Sequence, residues 1–237
     1  MKATTGKLYL IPTTLGETAP LEVLPISVKK VVSELDTFIV ENEKSARRFI
    51  KSIGSPVPQD QLNLHVLNKY TPQEDLPKFL TMAQNGGNVG LMSEAGMPAI
   101  ADPGSNIIEI AHRRGIRVVP LVGPSSIIMA LISSGFNGQN FAFNGYLPIE
   151  KKERKQSIKR LEKQSLQNNQ TQIFIETPYR NMALLHDLVN YTFPETRICL
   201  ATDISLPSEE IITKTSEEWS RDFPDIHKKP TVFLIQA

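Results

Sequence analysis

The stretch Ser93-Glu94-Ala95-Gly96-Met97-Pro98-Ala99-Ile100-Ala101-Asp102-Pro103-Gly104 follows an apolar run and combines small residues, turn formers and two carboxylates. Small residues let the backbone approach a ligand and offer it N–H and C=O groups, and carboxylates can accept a proton or face a cation. A plainer role is open to Asp102, which precedes a helical pattern and can cap it. Val122-Gly123-Pro124-Ser125-Ser126 repeats the arrangement, with Ser125 placed to cap the helix that follows or to present its first N–H groups to a ligand. Glu176-Thr177-Pro178-Tyr179 repeats it again after the strand-like run Thr171-Gln172-Ile173-Phe174-Ile175. None of the three is a dinucleotide fingerprint or a phosphate-binding P-loop, since neither G-x-G-x-x-G nor Gly-Lys-Ser/Thr occurs in them. Metal chemistry finds little support: Cys199 is the single cysteine, and His65, His112, His186 and His227 lack ligand spacing. His65 and His186 fall within element patterns and read as structural. Trp219 and Phe223, at helical spacing, read as anchors of a short helix in the core.

Such loops need strands to end on. Runs at 7–11, 37–40, 63–67, 88–92 and 117–121 read as strands, alternating with helical patterns at 27–34, 44–53, 74–84 and 105–114; Ser27 is the expected N-cap of the first. That rhythm predicts βαβ units and a mostly parallel sheet. After Val122-Gly123-Pro124 come helix 125–134, strand 141–145, helix 151–163, strand 171–175 and helix 180–191. Strands at 197–202, 209–214 and 231–236 follow, with only a short helix at 216–221, so the second half should hold a mixed sheet. The expected class is α/β in two domains, 1–121 and 122–237.

Composition agrees with a folded, water-soluble chain. Its 237 residues carry 26 Lys+Arg against 25 Asp+Glu, 40% hydrophobic residues, 13 Gly and 17 Pro, which speaks against disorder and collagen-like repeats. Neither an export signal nor a membrane-spanning run of about 20 apolar residues is visible, so a reducing cytoplasmic setting is expected. With a net charge of +1 overall, the seven Lys/Arg and three Glu of residues 150–163 form a local basic segment able to track phosphates or simply to face solvent.

Five segments occur in a fixed order: Leu8-Tyr9-Leu10-Ile11-Pro12, the 93–104 loop, the stretch from Gly115 to Ser125, Phe141-Ala142-Phe143-Asn144-Gly145-Tyr146-Leu147-Pro148, and Phe174-Ile175-Glu176-Thr177-Pro178-Tyr179-Arg180. Together they resemble the tetrapyrrole methylase superfamily, most closely its branch of small-subunit ribosomal RNA ribose 2′-O-methyltransferases. The resemblance implies two α/β domains with the ligand cleft between them, S-adenosylmethionine as cofactor, and a homodimer. By the same resemblance the cofactor contacts are Pro12, Ser93, Glu94, Ala95, Gly96, Met97, Ile100, Ser125, Ser126, Glu176, Thr177 and Ala201. The chain departs from that branch at Pro12-Thr13-Thr14-Leu15-Gly16, Glu41-Asn42-Glu43-Lys44, Tyr70-Thr71-Pro72-Gln73-Glu74 and Thr202-Asp203-Ile204-Ser205, all on the acceptor side. A ribose hydroxyl needs a base, and Glu43 is taken for it among Glu94, Asp102, Glu43 and Glu176. An RNA acceptor would be gripped by Lys151, Lys152, Arg154 and Lys155. Two alternatives stay open: methylation of a tetrapyrrole or other small molecule, and a cofactor-binding module without turnover.

Overall fold

The computed structural model describes residues 5–237, which divide into two compact units at Ser125/Ser126, compared with the expected boundary at 121/122. The first unit runs β1 (Lys7–Ile11), α1 (Pro20–Val23), α2 (Ile26–Ser33), β2 (Thr37–Val40), α3 (Glu43–Ser52), β3 (Asn63–Val66), α4 (Leu76–Phe79), α5 (Thr81–Gln84), β4 (Val89–Met92), α6 (Gly104–Arg113) and β5 (Arg117–Pro120). Its strands form one sheet in the order β3-β2-β4-β1-β5, parallel at every pairing. A parallel sheet is covered on both faces, and β2 and β4 are buried at every position. Side chains alternate accordingly: Phe38 and Val40 pack with α2 and α3 residues such as Val32 and Ile50, whereas Ile39 packs with Leu80, Ile107 and Ala111 across the sheet. Gly90 is demanded by this packing, because a Cβ there would lie 2.6 Å from Ile11 Cδ1 and 2.7 Å from Phe38 Cδ1.

Two helix expectations are corrected. Ser27 lies inside α2, whose N-cap is Pro25 without a side-chain cap. The helix expected over 74–84 is two short ones, and Pro77, tolerated only in a first turn, makes the earlier one begin at Leu76.

The second unit runs α7 (Ser126–Ser134), β6 (Phe141–Tyr146), α8 (Lys151–Asn168), β7 (Thr171–Ile175), a 3₁₀ turn (Pro178–Arg180), α9 (Asn181–Tyr191), β8 (Arg197–Thr202), β9 (Glu210–Thr215), α10 (Ser216–Arg221) and β10 (Thr231–Gln236). Its sheet, β6-β7-β10-β8-β9, is mixed, with β6 and β7 parallel and every other pairing antiparallel. Trp219 is a core anchor as expected, 1% exposed, with its indole N–H donating to the Ile198 carbonyl at 3.0 Å. Phe223 is partly buried, its ring 4.3 Å from that of His186. His65 stacks on Phe79 at 5.0 Å, and burial lowers its pKa, consistent with a structural role. Helix α8 runs five residues past its expected end at 163, closing on Asn169 in the left-handed conformation. Among the described residues no helix is long and apolar enough to cross a membrane, and no three His, Cys, Asp or Glu are grouped to hold a metal ion.

Candidate functional site

The sheet order of the first unit creates a crevice. From β1 the chain crosses toward β2, and from the adjacent β4 it crosses the opposite way toward β5. Loops leaving neighbouring strands in opposite directions part at the carboxyl edge, the place where open α/β sheets bind ligands. Here the two loops are fastened to each other: the Thr13 N–H donates to the Gly96 carbonyl at 3.0 Å and the Thr13 hydroxyl to the Ser93 carbonyl at 3.4 Å. Gly96 sits at φ +72°, where a Cβ would be 2.9 Å from Leu15 Cδ2 and 3.1 Å from the Pro124 carbonyl oxygen, so glycine permits this junction. Ala99 and Ala101 also have positive φ, at 69° and 62°. Their strained turns are held by Asp102, whose carboxylate accepts from the Ala99 N–H at 2.8 Å and the Gly104 N–H at 2.7 Å. Asp102 thus accepts from the first residue of α6, although the N-cap position is Pro103, one residue on from where the sequence suggested, and makes no side-chain cap. Burial raises its pKa, and those two N–H bonds oppose the rise.

A cavity of about 330 Å³ lies in this crevice, walled by Leu15, Val40, Phe49 and Met92, with the hydroxyls of Thr13, Thr14 and Ser45 and the carboxylates of Glu41 and Glu94. Glu41 leaves β2 by one residue, and its Oε1 accepts the Glu94 N–H at 3.0 Å. Burial pushes the Glu41 carboxyl above the usual range, the Glu94 N–H pulls it back, and repulsion from Asp102 and Glu94 adds to the rise. Glu94 itself accepts from the Ser45 hydroxyl at 2.5 Å. The opposite charge near the cavity is Arg48, exposed and 3.5 Å from the equally exposed Glu17. Besides the Arg48-paired Glu17, the wall thus offers a cationic ligand group two further carboxylates, Glu41 and Glu94. Thr18 Oγ1, also in the wall, is buried without a hydrogen-bond partner among the described residues, which a polar ligand would supply.

Residues 7–219 match the family model of tetrapyrrole (corrin/porphyrin) methylases. The chain belongs to that family. It is 30% identical over 235 residues to the ribosomal RNA small subunit methyltransferase I of Escherichia coli O157:H7, covering 98% of this chain and 78% of that protein. The corresponding protein of Thermotoga maritima is 32% identical over 184 residues, 78% of this chain and 77% of its own. Among solved structures the methyltransferase CobJ superposes with a TM-score of 0.65 at 17% identity, covering 98% of this chain and 94% of its own. Uroporphyrin-III C-methyltransferase from Thermus thermophilus, complexed with S-adenosylhomocysteine, superposes with 0.58 at 15%, covering 98% and 97%. These two likenesses are of fold. Family membership makes the chain a methyltransferase dependent on S-adenosylmethionine.

Within the first unit of this tetrapyrrole methylase, three expected cofactor loops converge. Ser93 and Glu94 line the cavity, and Ala95, Gly96 and Met97 continue the same loop. Pro12 ends β1 against Gly123, where a Cβ would come within 2.3 Å of its ring. Ser125 is 8% exposed, and Ile100 lies at the loop's outer side, 42% exposed. In the second unit, Ser126 opens α7 and Ala201 is buried in β8 between Val232 and Ile211. Glu176 is buried with its carboxylate engaged by the Thr177 N–H and the Arg180 guanidinium, next to an exposed Thr177.

Two expected residues lie away from the positions their expected roles suggest. Glu43, the expected base, is the first residue of α3, 53% exposed, paired with Arg47 at 2.7 Å and absent from the cavity wall. The carboxylate of this segment that lines the cavity is Glu41, two residues earlier. A signal for this stood in the sequence: Asn42 caps α3 by accepting from the Lys44 and Ser45 N–H groups, which leaves Glu41 between the end of β2 and the cap. Arg154, expected on an RNA-facing surface, is only 11% exposed and tied to Asp187 at 2.5 Å and to the Ile149 carbonyl at 2.7 Å. Lys151, Lys152 and Lys155 are exposed, the last with its ammonium 5.0 Å from the Tyr191 ring.

Proposed function

We propose that this tetrapyrrole methylase methylates small-subunit ribosomal RNA in the cytoplasm, at a ribose 2′-hydroxyl, and works as a homodimer. The observation that carries the RNA acceptor is the similarity over 98% of the chain to a ribosomal RNA small subunit methyltransferase I. The cofactor, when bound, supplies an electrophilic sulfonium methyl, so the protein's tasks are to align the acceptor, exclude water and take its proton. Loop 93–97 and the adjoining ends of β1 and β5 hold S-adenosylmethionine, and the Glu41/Glu94 wall suits its positive charge. Glu41 takes the acceptor's proton. One of its oxygens is anchored by the Glu94 N–H, no cation pairs with it among the described residues, and its raised pKa makes it a better proton acceptor near neutrality.

The test is transfer of tritium from labelled S-adenosylmethionine to small ribosomal subunits purified from a strain lacking the protein. Label in the RNA is expected. Label confined to a small-molecule fraction would transfer the function to that acceptor class, and binding of the cofactor without any transfer would leave a module without turnover.

A further inference from the structure

Helix α8 does not spread its basic residues evenly. Lys155, Lys159 and Lys163 recur every four residues, so they stack along one flank at about 6 Å per step, with Lys152 one turn before them. Among the described residues none of these four is in an ion pair. Of the two carboxylates within α8, Glu153 is exposed near its start and Glu162 is turned inward at 4% exposure. It accepts the Phe193 N–H at 2.6 Å and the Thr196 hydroxyl at 2.5 Å. This bond fastens the Phe193 backbone to α8 at Glu162, the residue before Lys163 and three after Lys159, yet leaves its side chain in solvent, since the residue is 65% exposed. Tyr191, two residues earlier, lies under the Lys155 ammonium. A row of unpaired ammonium groups beside an exposed, backbone-anchored aromatic ring is the arrangement that grips a sugar-phosphate strand and stacks its bases.

We propose that this ridge binds single-stranded RNA, with phosphates along Lys155, Lys159 and Lys163 and an unstacked base on the Phe193 ring. The proposal rests on the ribosomal RNA reading but names a surface and a strand state that reading leaves open. Charge complementarity selects the occupant: Lys152, Lys155, Lys159 and Lys163 outnumber the exposed carboxylates within α8 and beside Phe193, Glu153 and Glu195, and so favour a polyanion, and a ring needs an open base to stack on.

The test is anisotropy of a labelled short RNA oligonucleotide with the full chain over a series of salt concentrations. Phe193→Ala should weaken single-strand binding about tenfold without changing the salt slope, and Phe193→Trp should restore it. Lys159→Gln with Lys163→Gln should weaken binding and reduce the slope of log K against log salt by about 1.4, the signature of two lost phosphate contacts. Wild-type affinity in both variants would overturn the proposal while leaving the ribosomal RNA reading intact. That reading fails separately, if the wild type transfers no methyl to ribosomal RNA. Equal loss by Phe193→Ala on an annealed duplex would also overturn it, as would a variant that altered only sedimentation and so marked a protein contact. Should Phe193→Ala not fold, photocrosslinking of wild type to thiouridine-containing RNA decides: adducts at 191–193 support the ridge, and adducts only elsewhere refute it.

Discussion

Glu41 and Glu43 are two residues apart and chemically identical, and the cap between them gives them different lives. Asn42 starts α3, so Glu43 becomes a first-turn carboxylate suited to the helix dipole and to an i,i+4 pair with Arg47, whereas Glu41 remains at the strand end beside Glu94 and Asp102. Glu41→Gln keeps an oxygen to accept the Glu94 N–H but cannot take a proton. It should therefore lower kcat about 100-fold or more, while cofactor affinity, read by calorimetry, falls far less because Glu94 keeps its charge in the same wall. Stability should move the other way. Between the ordinary carboxylate value of 4.5 and the raised value in the fold, the folded state binds more protons than the unfolded chain, so Glu41 costs stability as pH rises through that window. Thermal melts should then show the Gln variant no more stable than wild type below pH 4.5 and more stable at neutral pH. A variant stabilised equally at all pH values would contradict a raised carboxyl at this position. Glu43→Gln should leave turnover near wild type. The sequence left this distinction open because a carboxylate's proximity to a cavity depends on which residue caps the neighbouring helix, and Asn42 was one of several polar residues able to do so.

Strands were the most legible part of the chain. Runs 171–175, 197–202 and 231–236 lie within their predicted limits, because continuous apolar patterns flanked by turn formers have few alternatives once both faces must be covered. Helix ends were less legible, as α2 and the divided 74–84 segment show, since caps and breaks depend on tertiary neighbours. The same holds for α8, where charge density could be read but direction could not. Arg154 shares the basic run with Lys152 and Lys155, yet it points inward to Asp187, whose side chain is 8% exposed on α9. Removing one partner of such a pair leaves a buried charge, so Arg154→Ala should cost about 3–5 kcal/mol in denaturant unfolding. Lys151→Ala with Lys152→Ala should cost less than about 0.5 kcal/mol, as usual for exposed positions. Equal, small losses in both would show that the ion pair does not hold α8 to α9.

The two units carry different sheets, one wholly parallel and covered, the other mixed with β6 and β9 at its edges. Edges in a mixed sheet are commonly closed by a partner, which agrees with the homodimer proposed from the family resemblance. Sedimentation at low micromolar concentration should give about twice the 26.5 kDa of one chain, and a clean monomer would refute it. The family was legible because it is written in an ordered set of loops spread over the whole chain. The acceptor was less so, because the segments that depart from the RNA-modifying branch are those the resemblance assigns to the acceptor side. Glu41, in one such segment, nevertheless faces the cavity. Nucleoside mass spectrometry of small-subunit ribosomal RNA from a strain without this protein addresses the acceptor in its native setting. One 2′-O-methylated nucleoside should disappear and return with the wild-type chain but not with Glu41→Gln; an unchanged set of methylated nucleosides would contradict ribosomal RNA as the substrate.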